Sequence, residues 1–400
     1  MQAVTRLPTE LFPALAAATE VYLDSAATTQ KPRPVIETIH RYHSVRTANA
    51  GRGTYPWATG LTAQLARVRA RTATFLGAEH PDEIVFTSGA TAALNAVALS
   101  WGLANLGDGD EILYSPTDHA SNVLPWRQLR RQLARFGRRI DLVPYRTTRT
   151  GEADTADMLS KIGPRTRLIT TSHLHHVYGG LTTLEELRGR LDPAILLCFD
   201  CSQSGGHLPV DVTVLGADFA VFAAHKMLGA PGTGILYCRR RIHPALDPFL
   251  PGGNSGTAMP ELLEGGTQNL PGILALGSAL EVLESLGTAA IAAHNRELTL
   301  RLIDRLRPVP GLEFLPGPAY APCEIGYGIV SFTLAGISAA DLGFVLAEFG
   351  FLVRTGAHCV PTDDGDPGID SVRVSTHIYN TTDEIDRFCA CVMQVAKEVT

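Results

Sequence analysis

The chain has 400 residues, of which 45% are hydrophobic and 18% are charged, and its formal net charge at pH 7 is −6. This composition is typical of a globular protein of one large domain or two, and it excludes the strongly basic balance by which proteins bind nucleic acids or anionic membranes. The apolar stretch near the N-terminus is too short for a signal peptide, and no apolar run reaches the roughly 18 residues that span a bilayer. Seven cysteines without a dense framework favour a reducing compartment, so we expect a cytoplasmic protein.

The first part of the chain alternates between helical and strand-like segments. Residues 33–75 are predicted to be helical with an irregular stretch at 48–56, and a strand at 84–87 leads through Ser88-Gly89-Ala90-Thr91 into a helix. Further strand-like runs occur at 111–115, 140–144, 167–172, 194–199, 219–223 and 233–237. This alternation predicts a large α/β domain built on a mostly parallel sheet.

The pattern changes after a stretch rich in proline and glycine at 251–272. We predict a long helix at about 273–307, a strand at 329–333 and helices near 338–349 and 381–398, which together form a smaller α+β domain. The large domain is placed at 21–270, and residues 1–20 and 271–400 are assigned to the small domain.

Lys226 is the residue that says most about chemistry. It follows the apolar run 220–222, where partial desolvation lowers the pKa of a lysine and makes the amine a usable nucleophile. Asp200 ends another apolar stretch upstream, at 194–199. A lysine that forms a Schiff base and a carboxylate that keeps a pyridine nitrogen protonated are the parts of a pyridoxal phosphate (PLP) site. A buried salt bridge between the two residues is the alternative.

Three further segments are placed to complete such a site. The turn 88–91 lies between a strand and a helix N-terminus, where free backbone N–H groups can hold a phosphate. His119 follows the strand at 111–115, at the edge where α/β sheets bind ligands, and could stack on a planar cofactor; a surface histidine is the alternative. Gln203 could hydrogen-bond the phenolic oxygen of the cofactor, and His225 could reach its phosphate.

Cys359 begins a polar loop and stands next to His358 and near Arg354. An exposed and electropositive setting favours the thiolate, so we predict a nucleophilic cysteine; an unremarkable thiol is the alternative. Cys198 and Cys201 form a C-x-x-C pattern, which we interpret as core packing rather than redox chemistry because it lies on a buried strand.

Arg373 is flanked by β-branched residues on a predicted strand and suits a clamp for a substrate carboxylate, with a structural ion pair as the alternative.

The tract 173–176 contains three histidines. On a strand, His173 and His175 would share one face and His176 would point to the other. We expect the tract to line the cofactor pocket rather than bind a metal, because no cysteine or acid stands close enough in sequence to complete a metal site.

Together these segments resemble the class V aminotransferase family of PLP fold type I, and within it the SufS-type (group II) cysteine desulfurases, over nearly the whole chain. The matching segments are 22–32, 118–122 with Pro125-Trp126, Asp200 with Gln203, His225-Lys226, 264–269, 354–359, and Arg373 with 378–381. The resemblance implies a large domain with a mostly parallel seven-stranded sheet, a smaller C-terminal α+β domain, a homodimer, and PLP as cofactor.

By resemblance, the catalytic residues are Lys226, Cys359 and His119. The implied cofactor-binding residues are Lys226, Asp200, Gln203, His119, Gly89, Ala90, Thr91, His176, His225 and Thr267, the last acting across the subunit boundary. The implied substrate-binding residues are Arg373, Asn49, Arg354 and Ala27. In the implied reaction Lys226 removes the Cα proton of cysteine and the Cys359 thiolate attacks the substrate sulfur. Alanine leaves, and a persulfide remains on Cys359 for an acceptor protein.

Four departures from the family pattern bear on these expectations. They are His176 in place of an asparagine, Ala90 and Ala223 in place of hydroxyl residues that hold the phosphate, Gly51 in place of a histidine, and a stretch at 253–267 too short for the SufS-type β-hairpin. We therefore expect weaker cofactor retention, unless Thr91, His225, Thr267 or water compensates. We also expect a more open active site.

The sequence thus predicts a cysteine desulfurase that converts L-cysteine to L-alanine. The alternative is a PLP-dependent C–S β-lyase that acts on cysteine or a cysteine S-conjugate, releases pyruvate and ammonia, and leaves Cys359 as a bystander. An idle scaffold is disfavoured by the joint presence of Lys226, Asp200, Gln203, His119 and Arg373. The segment 357–359 favours the desulfurase, since a lyase needs no thiol there.

Overall fold

The computed structural model describes residues 11–184, 188–315, 326–362 and 368–399. Residues 1–10 of the predicted small domain and 363–367 of the predicted polar loop lie outside this part of the chain. The strands are β1 Val21–Tyr22, β2 Ile84–Thr87, β3 Glu111–Tyr114, β4 Asp141–Pro144, β5 Thr166–Ser172, β6 Leu196–Asp200, β7 Phe219–Ala223, β8 Gly234–Cys238, β9 Leu312–Phe314, β10 Ile329–Leu334, β11 Phe351–Leu352, β12 Arg354–Gly356 and β13 Ser371–Ser375. The helices are α1 Pro13–Ala16, α2 Arg33–Ser44, α3 Pro56–Leu76, α4 Ala90–Ala96, α5 Leu103–Asn105, α6 Ala120–Arg135, α7 Thr155–Lys161, α8 Leu270–Leu286, α9 Thr288–Leu306, α10 Ala339–Glu348 and α11 Thr382–Val399.

Seven strands form the large sheet, in the order β2-β8-β7-β6-β5-β3-β4. β8 runs antiparallel to β2 and β7, and the other neighbours are parallel. Strands β6, β7 and β8 are buried at every residue, as expected where helices cover both faces of a sheet. The predicted strands and the mostly parallel seven-stranded sheet are therefore confirmed.

Alternate residues of β6 enter two different cores. Leu197 and Phe199 pack with α3 and α8, whereas Leu196 and Cys198 pack with α4 and α6. Cys198 and Cys201 are fully buried and unpaired, so the interpretation of the C-x-x-C pattern as core packing is confirmed. Burial raises the pKa of the Cys198 thiol to about 12, which leaves it unreactive.

The single long helix predicted at about 273–307 is wrong. Two helices, α8 and α9, meet at Gly287 with a bend of 72°. Gly287 has φ +77°, a left-handed conformation that ends a helix at low cost only in glycine. Within the described residues no single helix is both long and apolar enough to cross a membrane, and α8 with α9 pass that test only as a bent pair.

The second sheet is antiparallel, in the order β12-β13-β10-β9, and packs with α9, α10 and α11. The short parallel pair β1–β11 places Val21 and Leu23 in this second core, whereas α8 packs against α2 and α3 in the first. The strand predicted at 329–333 and the helices near 338–349 and 381–398 are confirmed. The division of the chain into domains stays a prediction.

Candidate active site

A cavity of about 410 Å³ lies at the carboxyl ends of the parallel strands. β6 ends at Asp200, and β7 leads directly into the short turn 224–226, so the register of the two strands brings Asp200 and Lys226 to one edge of the sheet. The predicted site residues that line the cavity are Ala27, Gly89, Ala90, Thr91, His119, His176, Asp200, Gln203, His225, Lys226, Arg354, Cys359 and Arg373. Asn49 and Thr267 are exposed in the single chain and do not line it.

Lys226 is half-buried beside the cavity, and burial lowers its pKa to about 8, with Asp200 opposing the shift. The carbonyl group of the preceding residue, His225, holds the turn that carries Lys226 in place. His225 O accepts hydrogen bonds from the Thr29 N–H at 3.0 Å and from Lys31 Nζ at 2.7 Å. Among the described residues no ion pair joins Lys226 to Asp200, so the salt bridge that the sequence left open is not formed.

Asp200 and Gln203 follow the same strand end. Asp200 is buried, and its Oδ1 accepts a hydrogen bond from the Ser202 N–H at 2.9 Å. Gln203 Nε2 donates to the Ala26 carbonyl at 2.9 Å, which leaves the second amide hydrogen for a ligand in the cavity. The Gln203 Oε1 atom is buried without a protein partner.

His119 caps the N-terminus of α6, and its ring lines the cavity. Its Nδ1 accepts a hydrogen bond from the Ser121 N–H at 3.1 Å. Burial, followed by the Lys226 charge, lowers the pKa of His119 to about 4, so the ring is neutral near pH 7. Because Nδ1 is an acceptor, the proton of the neutral ring lies on Nε2, and His119 enters the cavity as a hydrogen-bond donor.

The histidine tract is not a strand, and the predicted alternation of faces is wrong there. β5 ends at Ser172, and Leu174 forms an isolated bridge with Leu181. His173 Nδ1 lies 2.9 Å from Ser204 Oγ, and His175 Nε2 lies 3.1 Å from the Thr117 carbonyl. The chain thus turns after the strand end and directs only the last of its three histidines into the cavity.

His176 is that histidine. It is 3% exposed, and both of its ring nitrogens lack a protein partner. Its ring meets the His119 ring edge-on, with 5.1 Å between centroids. Burial holds the pKa of His176 well below its usual range, so the ring is neutral and carries one N–H for a ligand. Among the described residues no cluster of histidine, cysteine and acidic side chains is arranged for a metal ion.

Arg373 forms the ion pair that the sequence left as the alternative, and its role as a carboxylate clamp stays a prediction. It is buried on β13 and lines the cavity. Its Nη1 donates to the His176 carbonyl at 2.9 Å and its Nη2 to Asp24 Oδ1 at 3.2 Å, while Nε has no protein partner. Arg354 lies directly opposite on β12, so two guanidinium groups and Lys226 face the cavity, against the two carboxylates of Asp200 and Asp24. This excess of positive charge favours an anionic ligand.

Cys359 is exposed at the mouth of the cavity, as predicted. Its carbonyl accepts a hydrogen bond from the Ala120 N–H at 2.9 Å, which fixes the cysteine loop next to His119. Arg354 Nη2 lies 3.5 Å from Cys359 Sγ, so a thiolate there has a cationic neighbour. His358 and Cys359 have φ of +50° and +65°, a left-handed conformation that non-glycine residues rarely adopt.

His358 does not supply the positive charge that its position next to Cys359 suggested. The side chain is buried, and its Nε2 lies 2.9 Å from Ser371 Oγ. Burial, followed by the charge of Arg373, lowers the pKa of His358 to about 3, so the ring is neutral. The electropositive setting of Cys359 therefore comes from Arg354.

Comparison with known proteins agrees with this arrangement. The model of the Aminotransferase class-V family matches residues 21–388. The chain belongs to this family. It is 36% identical over 392 residues to a cysteine desulfurase of Klebsiella pneumoniae subsp. pneumoniae (94% of this chain and 93% of that one). It is 33% identical to a probable cysteine desulfurase of Vibrio cholerae, covering 93% and 92% of the two chains.

Solved structures of cysteine desulfurases share the fold. A cysteine desulfurase from Thermococcus onnurineus matches with a TM-score of 0.90 and 28% identity over 99% of this chain and 100% of that one. The cysteine desulfurase CsdA from Escherichia coli matches with a TM-score of 0.86 and 29% identity over 98% of each chain. The predicted fold class and family are confirmed.

The side chains of this class-V cavity fit the PLP that the family uses. Buried polar atoms without protein partners converge on it, and such atoms are rare unless a ligand or water satisfies them. They are His176 Nδ1 and Nε2, Gln203 Oε1, Ser202 Oγ and Arg373 Nε. A polar, planar ligand that carries both hydrogen-bond donors and acceptors would satisfy this set together with Lys226 and Asp200.

The part of the cavity that the sequence assigns to phosphate is formed by the turn 88–91 with Ala223 and His225. We call it the phosphate wall. Gly89 has φ +155°, and Gly234, which pairs with Ala223, packs so closely that a Cβ there would lie 2.5 Å from Gly89. The wall is thus a close approach of two backbones, and its side-chain hydroxyls are those of Ser88 and Thr91.

Three residues of the site were not found by sequence reasoning, namely Asp24, Ser121 and Ser202, whose buried Oγ has no protein partner. Asp24 forms the ion pair with Arg373 across nearly the whole chain length, which no local pattern reveals. Ser121 also lines the cavity, and its Oγ lies 2.7 Å from Thr91 Oγ1. Its position two residues after His119 was the only local signal.

Proposed function

We propose that the protein is a PLP-dependent cysteine desulfurase that converts L-cysteine to L-alanine and transfers the sulfur to Cys359. The observation that carries the proposal is that Cys359 lines the same cavity as Lys226 and Asp200. A cysteine held there by the Ala120 N–H, with Arg354 beside its sulfur, has the position and the charge environment of a nucleophile.

The cofactor would be held by residues that the fold brings together. Asp200 would pair with the pyridine nitrogen, Gln203 and His176 would hydrogen-bond the phenolic oxygen, and the phosphate wall would bind the phosphate. When bound, PLP supplies an electron sink that makes the Cα–H of an amino acid acidic.

Lys226 and His119 would handle protons. With a pKa of about 8, Lys226 has a substantial neutral fraction near neutral pH and can accept the Cα proton of the substrate. His119 presents a neutral ring with its proton on Nε2, which suits it to donate a hydrogen bond rather than to act as a base.

Arg373 and Arg354 would orient the substrate. Arg373 Nε is free of protein partners, and its Nη2 contact to Asp24 is long for a charge-assisted bond, so a substrate carboxylate can compete for the guanidinium. The two arginines lie side by side on β12 and β13, which directs the amino acid between the lysine and the cysteine loop.

In the sulfur transfer the Cys359 thiolate attacks the sulfur of the bound cysteine. A bond forms between the two sulfurs as the Cβ–S bond breaks, and the carbon side gains the electron pair and then protons to become alanine. The persulfide on Cys359 holds the sulfur in the zero-valent state. The sum is one cysteine plus one thiol giving one alanine plus one persulfide, so the step needs no external oxidant.

We also propose a homodimer in the cytoplasm that passes its sulfur to an acceptor protein. Thr267 is exposed in the single chain, which supports its proposed role at the site of a second copy. The exposed position of Cys359 suits delivery to another protein. The six cysteines in the described part of the chain are all free, which is typical of a reducing compartment. The domain boundaries at 21–270 and 271–400 are part of the same proposal.

The C–S lyase alternative is not favoured. Relatives that are 33–36% identical over most of the chain are cysteine desulfurases or probable cysteine desulfurases. A lyase would also leave the position of Cys359 beside Arg354 without a purpose.

Product analysis tests the proposal. With L-cysteine and a reductant, the wild type should release alanine and sulfide, and Cys359→Ala should lose both. Cys391→Ala, which removes a partly buried thiol on α11, is the matched control and should behave like the wild type. Pyruvate and ammonia formed equally by the wild type and Cys359→Ala would show a lyase instead.

A further inference from the structure

The phosphate wall has few groups that can hold an anion. Ala90 and Ala223 present only methyl groups to the cavity. His225 supplies no charge, because burial and then the charge of Lys226 lower its pKa to about 4. The two arginines of the cavity are those proposed to orient the substrate, and they contact Cys359 (Arg354) and Asp24 with His176 (Arg373) rather than the phosphate wall.

A pair of hydroxyls stands at the edge of this wall. Thr91 belongs to α4 and Ser121 to α6, and their oxygens lie 2.7 Å apart while both residues line the cavity. Neither hydroxyl has another protein partner among the described residues. Each hydroxyl has one proton to donate. One proton is used within the pair, so the other remains for a ligand, whichever oxygen is the donor.

The position of Ser121 is fixed independently of its hydroxyl. Its backbone N–H donates to His119 Nδ1 at 3.1 Å, and the neighbouring Ala120 N–H donates to the Cys359 carbonyl at 2.9 Å. Removing the hydroxyl therefore leaves both backbone contacts in place. A substitution at Ser121 can therefore test the hydroxyl without removing the backbone hydrogen bond that orients the His119 ring.

We propose that Ser121, acting with Thr91, is a phosphate-binding residue of the cofactor site and supplies the donor that Ala90 and Ala223 lack. The inference rests on the proposed PLP-dependent function, since the ligand is the cofactor phosphate. The hydrogen bond between Thr91 and Ser121 also joins α4 to α6. A phosphate bound to this pair would therefore contact the helix that His119 caps.

The test compares two ligands that differ only in the phosphate. The full chain is freed of cofactor with hydroxylamine and titrated with PLP and with pyridoxal, and binding is followed by absorbance. Ser121→Ala should weaken PLP binding about tenfold or more, as expected for a lost hydrogen bond to a charged group. Pyridoxal binding should not change. Ser121→Thr keeps a hydroxyl and should bind PLP like the wild type.

The possible results separate the inference from the proposed function. If the wild type binds PLP and Ser121→Ala binds it equally well, Ser121 is not a phosphate ligand. An equal loss for PLP and pyridoxal would overturn the inference too, because the serine would then act through His119 or the fold. If the wild type does not bind PLP, the proposed function itself is wrong. Thermal melting of the cofactor-free proteins checks that the variants fold.

Discussion

The two ends of the cavity are held in different ways. At the cofactor end, which comprises Asp200, Lys226, His119, Gln203 and His176, the side chains follow strand ends of the seven-stranded sheet and are largely buried. At the cysteine end, which comprises Arg354, Cys359 and Arg373, the nucleophile lies on an exposed loop in a left-handed conformation. Buried strand ends are fixed by many contacts, whereas a loop depends on a few.

In the proposed reaction this difference would separate cofactor chemistry from sulfur transfer. Residues at the strand ends would move the proton, and the cysteine loop would accept the sulfur. Substitutions at the cofactor end should therefore slow every reaction of the enzyme, most of all at Lys226, whereas substitutions at the cysteine end should change substrate binding or the fate of sulfur and leave the cofactor in place.

The largest effect is expected for Lys226→Ala. We expect cysteine turnover to fall about 1,000-fold or more, because general base catalysis alone contributes roughly 10²–10⁴-fold and the lysine is also proposed to carry the cofactor. Alanine formation measures the loss. Mass spectrometry after borohydride reduction should find PLP on Lys226 in the wild type and no linked PLP in the variant. Lys397→Ala is the matched control, and turnover that survives in Lys226→Ala would contradict the assignment.

Arg373→Lys should give the next largest effect, at the cysteine end. We expect the KM for L-cysteine to rise about 10- to 100-fold, because a lysine cannot form two parallel hydrogen bonds to a carboxylate and a lost charge-assisted bond costs about 1.5–3 kcal/mol. PLP absorbance should be retained. A purely structural ion pair with Asp24 would instead lower the melting temperature and leave KM unchanged.

A smaller effect is expected for Arg354→Gln. Its guanidinium lies 3.5 Å from Cys359 Sγ at a partly exposed site, where ion pairs contribute up to about 1 kcal/mol. Alkylation of Cys359 by iodoacetamide at pH 7 should therefore slow about two- to fivefold. Cys391 serves as the internal control in the same sample, since its rate should stay constant. An unchanged alkylation rate at Cys359 would show that Arg354 does not contribute to the reactivity of this thiol.

The smallest effect concerns pH and His119. Burial lowers the pKa of His119 to about 4, below its usual 6.5, so the ring is neutral at pH 6–8 and protonates only as the pH falls toward 4. The stability that this shift contributes is present above pH 6.5 and is lost between pH 6.5 and 4. His119→Asn should lower kcat by the same factor at pH 6, 7 and 8. An acid limb near pH 6.5 that only the wild type shows would mean that the ring is charged in catalysis.

The cofactor end could be predicted well from the sequence. An apolar run that ends in a lysine or an aspartate marks a buried strand end, and parallel strands bring their carboxyl ends together. Lys226 and Asp200 follow from this pattern, His119 from its place after the strand at 111–115, and Gln203 from its position three residues after Asp200; all four line the cavity. The seven strands of the sheet follow from the same apolar pattern.

The remaining features depend on contacts that no local pattern encodes. The histidine tract turns after Ser172 because the strand ends there, and periodicity cannot show where a strand stops. His358 looked cationic by its place in the chain, but burial against Ser371 makes it neutral. The Asp24–Arg373 pair and the Thr91–Ser121 pair join residues 349 and 30 positions apart, so only the folded chain reveals them.

The central claim is that sulfur passes through Cys359. The most direct test is mass spectrometry of the peptide that contains Cys359 after one turnover of L-cysteine without a reductant. We predict one added sulfur atom on Cys359, formed in step with alanine and removed by dithiothreitol. Alanine-free turnover with an unmodified Cys359 and accumulating pyruvate would contradict the account.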